Sequence, residues 1–146
     1  MYYPRALPQA RLVDDEVSIR DIAPTLLEFA GVPWQGAGYG GDASIEPMTG
    51  RSLLPLLRGQ ERALPRRVNG VELMGKYAIR VGSWKLVHMP PPHGNGDWQL
   101  YDLATDLAES HDLAAARPDK VAELRAQWGS YARDNHVILP DWVSGY

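Results

Sequence analysis

There is no cysteine in this 146-residue chain, which removes disulfides, thiolate nucleophiles and every cysteine-based zinc or iron–sulfur site. Nor is there a surplus of positive charge. Against 18 Asp and Glu stand 15 Lys and Arg, a formal charge of −3, and without a basic field a phosphate backbone has little to hold it. Nucleic acid is therefore set aside as a partner. No run approaches the roughly 18 apolar residues of a membrane span, and Met1-Tyr-Tyr-Pro-Arg5 is not the charged-then-apolar opening of a signal peptide. As given, the chain reads as cytoplasmic, with no membrane partner. What it does have is ordinary: 45% hydrophobic and 23% charged residues, the composition of a folded domain, at a length that fits a single one.

Two short helices are expected early. From Ser18 to Ala30, Ile19, Ile22, Leu26, Leu27 and Phe29 recur at helical spacing. Ser18 or Asp21 can cap, Pro24 fits only a first turn, and Gly31 can close, which together predict a helix over about Ile22 to Ala30. Gly36, Gly38, Gly40 and Gly41 make Gln35–Gly50 a long Gly-rich loop. Ser52–Leu57, capped by Ser52 and stopped by Gly59, reads as one or two further helical turns.

Beyond Arg67 the period changes to two. Val68, Gly70 and Glu72 alternate with Asn69, Val71 and Leu73. Tyr77, Ile79 and Val81 then alternate with Lys76, Ala78 and Arg80. A Gly82-Ser83 turn leads into Trp84, Leu86 and His88. Pro90–Asp97 breaks the ladder, because prolines donate no backbone hydrogen bonds, and Trp98–Leu103 supplies a fourth strand. Pro118 opens a long helix with the stripe Val121, Leu124, Trp128 and Tyr131. The expected fold is α+β: a four-stranded antiparallel sheet packed by that C-terminal helix. Trp84, Trp98 and Trp128 fall on core positions, whereas Trp34, Trp142 and Tyr146 fall in loop and tail.

Four stretches, Asp21–Val32 (DIAPTLLEFAGV), Gly50–Gly59 (GRSLLPLLRG), Ala78–Val87 (AIRVGSWKLV) and Trp98–Asp106 (WQLYDLATD) with His111-Asp-Leu113, resemble in order and spacing the C-terminal part of the arylsulfatase family, in the alkaline-phosphatase-like superfamily. The resemblance implies that residues 1–67 are a remnant of the large α/β domain and 68–146 the small sheet-and-helix subdomain, together forming one structural unit. It also implies what is missing. The family's oxidisable Cys or Ser in Cys/Ser-x-Pro-x-Arg, its calcium-binding Asp and Asn residues and its sulfate-binding Lys and His all lie in the N-terminal portion. In the nearest sequence, Ala63-Leu-Pro65-Arg-Arg67, alanine stands where the oxidisable residue would be. Neither a formylglycine nor a calcium site of the sulfatase type is expected, and no catalytic residue of the family carries over.

The four histidines are the neutral-pH acid–base and metal-ligand candidates. His111 suits a structural hydrogen bond in the turn before the long helix, and Asp102, Asp106, Glu109 and Asp112 suit turn caps. His136 suits a helix C-terminus. His88 and His93 flank Pro90-Pro91-Pro92, with Asp97 nearby. Two His and a carboxylate are a ligand set for a catalytic zinc with an open water position, and His136 from a partner chain could join them. This predicts a Zn2+ site at His88, His93, Asp97 and His136, hydrolysing activated phosphoesters or sulfate esters, a small ester substrate, through metal-bound hydroxide. The alternative is a non-catalytic oligomerisation or substrate-rim module of a sulfatase. Exposed apolar surface where a larger domain would pack further predicts a homodimer or higher homo-oligomer.

Overall fold

The structure is a computed structural model, and it describes residues 7, 12, 15–34, 47–60, 64 and 66–141. Most of the Gly-rich loop expected at 35–50, and Ala63, Pro65, Trp142 and Tyr146, lie outside the described residues. The chain divides into two compact units, Met1–Pro65 and Arg66–Tyr146.

In the first unit a 3-10 turn, Ile19–Asp21, runs into helix α1, Ile22–Phe29. Ser18 caps the turn rather than α1: its hydroxyl accepts from the Arg20 N–H, while the Asp21 carboxylate accepts from the Ser18 N–H. The Asp21 side chain is fully buried, and its second oxygen accepts from the Arg51 N–H at 3.0 Å. One turn on, the buried Thr25 hydroxyl donates to the Asp21 carbonyl at 2.6 Å and accepts from the Leu53 N–H at 2.9 Å. These bonds tie α1 to the stretch leading into α2, Leu54–Leu57. The approach demands glycine at position 50, where a Cβ would stand 1.9 Å from the Arg20 carbonyl oxygen. Both helices stop in the same way. Gly31 and Gly59 adopt positive φ, and the next N–H (Val32, Gln60) reaches back to Leu27 and Pro55 carbonyls in Schellman closures.

The second unit is a meander in which each strand pairs with its sequence neighbour: β1 Val68–Leu73, β2 Lys76–Val81, β3 Trp84–His88 and β4 Trp98–Asp102, antiparallel and in that spatial order. Each of the first two hairpins turns on two residues. Met74 and Gly75 both take positive φ in one, Gly82 in the other. Helix α3, Pro118–Asp134, lies on the face formed by Tyr77, Ile79, Val81, Trp84, Leu86, Trp98 and Leu100, the alternation expected from the sequence. Ile79, Leu86, Leu100, Leu124 and Trp128 form the buried centre. Trp84 and Trp98 pack at its rim under the cations of Arg117, Lys120 and Arg125. Tyr131 rests directly on Gly70, where any Cβ would overlap its ring.

Candidate functional site

The register brings Tyr77, His88 and Trp98 into one row on the α3 face. His88 stacks on Tyr77 with ring centroids 4.5 Å apart, and Trp128 stacks on the other face of Tyr77 at 4.8 Å. Trp98 meets both His88 and Tyr77 edge-on at 5.3 Å. The Nδ1 of His88 is buried and has no hydrogen-bond partner among the described residues. Burial raises the Tyr77 phenol above its usual pKa, against the opposing pull of the Arg125 charge. His88 is thus part of an aromatic column.

The other residues expected to share a metal with it are placed differently. His93 is exposed in the proline turn, which is closed by bonds from Gly94 N–H to the Pro90 carbonyl and Gly96 N–H to the Met89 carbonyl. Asp97 is exposed as well; it accepts from the Asn95 amide at 2.9 Å, while its own N–H donates to Asn95. His136 closes α3: with φ of 51° it occupies the Schellman position held by glycine in α1 and α2, its N–H donating to Arg133 and that of Val137 to Ala132. Among the described residues, no group of three His, Asp or Glu is gathered so as to hold a metal ion.

The acidic residues after β4 act as turn caps. Asp102 accepts from the Ala104 N–H, and Asp112 from those of Leu100 and Ala114. Asp106 accepts from the backbones of Ser110 and His111, bonds that lower its pKa, and His111 adds a ring contact at 3.6 Å. Glu109 instead pairs with Lys85 at 2.6 Å.

That pair borders a feature the sequence reading passed over. The sheet face away from α3 carries a basin of about 380 Å³ lined by Asn69, Arg80, Lys85 and Glu109 among the apolar Val71, Ala78, Leu103 and Leu107. Opposite Lys85 in the register, Tyr101 is buried, its phenol pushed up by burial and by the carboxylates of Asp112, Glu109 and Asp106. The signal was present in the alternation, since Asn69, Arg80 and Lys85 fall on one face, but only the register makes them neighbours.

No protein-family model matches the chain. An uncharacterised sulfatase of Schizosaccharomyces pombe is 32% identical to it over 140 residues, 95% of this chain. The chain is similar to the C-terminal region of sulfatases. It spans 25% of the length of that curated relative. Among solved structures, the fold is similar to BT4656, a protein solved in complex with its substrate D-glucosamine-2-N,6-O-disulfate. The TM-score there is 0.53 at 25% identity, over 77% of this chain and 23% of that one. It is also similar in fold to Ps i-CgsB, with a TM-score of 0.59 at 21% identity, over 88% of this chain and 26% of that one. The likeness falls on the C-terminal region of sulfatases, in agreement with the four sequence stretches that carried the resemblance.

Proposed function

We propose that the chain serves as the C-terminal module of a sulfatase, supporting and rimming a sulfate-ester site whose reacting groups lie outside these 146 residues. One observation carries the reading: the chain matches a sulfatase along 95% of its own length but 25% of the relative's. Its sequence also has no cysteine and no Ser-x-Pro-x-Arg run from which a formylglycine could be made. The face of the sheet away from α3 supports it too, since Val71 and Leu107 stand exposed there beside charged Arg80, Lys85 and Glu109. A face of that mixed character suits apposition to a larger domain.

The finer reading, a zinc-type hydrolase acting through metal-bound hydroxide, needs His88, His93, Asp97 and His136 to converge. Within one chain no such group of three exists among the described residues, so a zinc site would draw ligands from a second copy. The two readings separate in one experiment on the chain purified without added metal. Metal content is measured by mass spectrometry, and hydrolysis of activated sulfate esters, phosphodiesters and phosphotriesters before and after a chelator. The module reading expects neither stoichiometric metal nor turnover. Chelator-sensitive turnover that disappears in His88→Ala and His93→Ala would replace it with the hydrolase. The positive test is complementation: the fission-yeast sulfatase, deleted of its matching quarter, should regain sulfate-ester hydrolysis when this chain is supplied.

A further inference from the structure

The two edges of the sheet are finished differently. At β4 the outward groups of Leu100 and the Asp102 carbonyl are taken up: the Leu100 carbonyl accepts from the Leu113 N–H, the Leu100 N–H donates to Asp112, and the Asp102 carbonyl accepts from Thr105 and Asp106. At β1 the outward groups are open among the described residues. A two-residue loop closes on a bonded pair, here Leu73 and Lys76, so alternation directs Asn69, Val71 and Leu73 inward to β2 and turns the N–H and C=O of Val68, Gly70 and Glu72 outward. Among the described residues none of these three outward residues has a backbone hydrogen bond beyond the sheet. Of the usual devices that blunt an exposed edge, β1 carries one charge, Glu72. Its sequence, Val-Asn-Gly-Val-Glu-Leu, holds no proline or lysine, and Val71 and Leu73 are 58% and 64% exposed.

We propose that β1 is the seam of a two-fold dimer of this chain, in which two β1 strands pair antiparallel about Val71 and join two sheets into one. The strand fits a second copy of itself. With Val71 facing the partner's Val71, the outward groups of Gly70 and Glu72 meet those of the partner's Glu72 and Gly70, and no like charges oppose. Val71 lies in the pair without mutual hydrogen bonds, where side chains approach most closely. On the face away from α3 the two Val71 and two Leu73 side chains then form one apolar strip. On the α3 face, the same register carries Met74 toward the partner's Val68. Met74, 49% exposed at the hairpin tip, is a flexible apolar knob. Beside Val68 lies a groove of about 340 Å³, lined by Ala126, Gln127, Ser130, Tyr131 and Asp134. Each copy thus presents both a knob and a groove, as a two-fold interface requires. The chain beyond α3 approaches the tip at Gly75, where Pro140 packs, and makes no described hydrogen bond to β1.

The test is sedimentation of the full chain. At about 100 μM, a concentration that populates even a modest interface, the chain should sediment at twice its 16.2 kDa. Val71→Lys, which sets two ammonium groups face to face on an exposed position, should return it to the monomer mass with an unchanged circular dichroism spectrum. In the cysteine-free background, Val71→Cys should oxidise to a covalent dimer far faster than Leu107→Cys, a control at a residue 85% exposed. A wild-type monomer at that concentration overturns the proposal. So does a Val71→Lys dimer, or crosslinking at 71 no faster than at 107.

Discussion

The two units of this chain are held by different kinds of contact. Around α1 the fully buried groups include an aspartate and a threonine, which bridge backbone N–H groups some thirty positions away in sequence. Under α3 the buried centre is wholly apolar, Ile79, Leu86, Leu100, Leu124 and Trp128. A polar bridge fixes one geometry and fails when either partner is lost, whereas an apolar centre fails in proportion to the volume removed.

The largest effect is expected in the apolar unit. Leu86→Ala removes a fully buried side chain between Ile79 and Leu100 and should cost about 3–5 kcal/mol, read as a lower denaturant midpoint. Asp21→Ala orphans the Ser18 and Arg51 N–H groups and should cost about 2–4 kcal/mol. Hydrogen exchange shows where: protection should fall in Ile22–Phe29, and an equal fall in Lys76–Val81 would mean that the two units open together. The helix ends sharpen the contrast at smaller scale. α1 and α2 close on Gly31 and Gly59, α3 on His136 in the same left-handed conformation. His136→Gly should therefore stabilise α3 by about 0.5–1 kcal/mol, seen as a raised melting temperature.

The smallest effect is a pH dependence. Backbone bonds from Ser110 and His111 lower the Asp106 pKa in the folded chain, so the unfolded chain takes up that proton first as pH falls. The contribution is complete above the ordinary aspartate range and fades below about pH 4 as the folded carboxyl in turn protonates. Asp106→Asn should flatten that part of the acid stability curve, as followed by denaturant titration at stepped pH.

Most of the second unit was legible in the sequence, because strands half-buried on one face write their burial as a period of two and α3 writes its as a stripe. Strand limits came within a residue of the structure, α1 ended one residue earlier than expected, and Asp102, Asp106 and Asp112 are the turn caps they were read as. The Asp21–Thr25 bridge was not legible. An aspartate before a helix looks like an ordinary cap, and its burial depends on Arg51 and Leu53, which no local pattern connects to it. The proposed metal ligands suffered the converse. His88, His93 and Asp97 are close in sequence, yet strand alternation commits His88 to an aromatic stack while the proline turn leaves the others in solvent.

The resting of Tyr131 on Gly70 has a consequence for how the chain is made. Both two-residue hairpins join sequence neighbours and can close as soon as they leave the ribosome, on microsecond timescales. Their cover, α3, is translated later, and its contact with β1 spans nearly the whole unit. During that interval Tyr77, Leu86 and Trp98 face solvent on a finished sheet. That apolar face stays uncovered until α3 arrives and buries it.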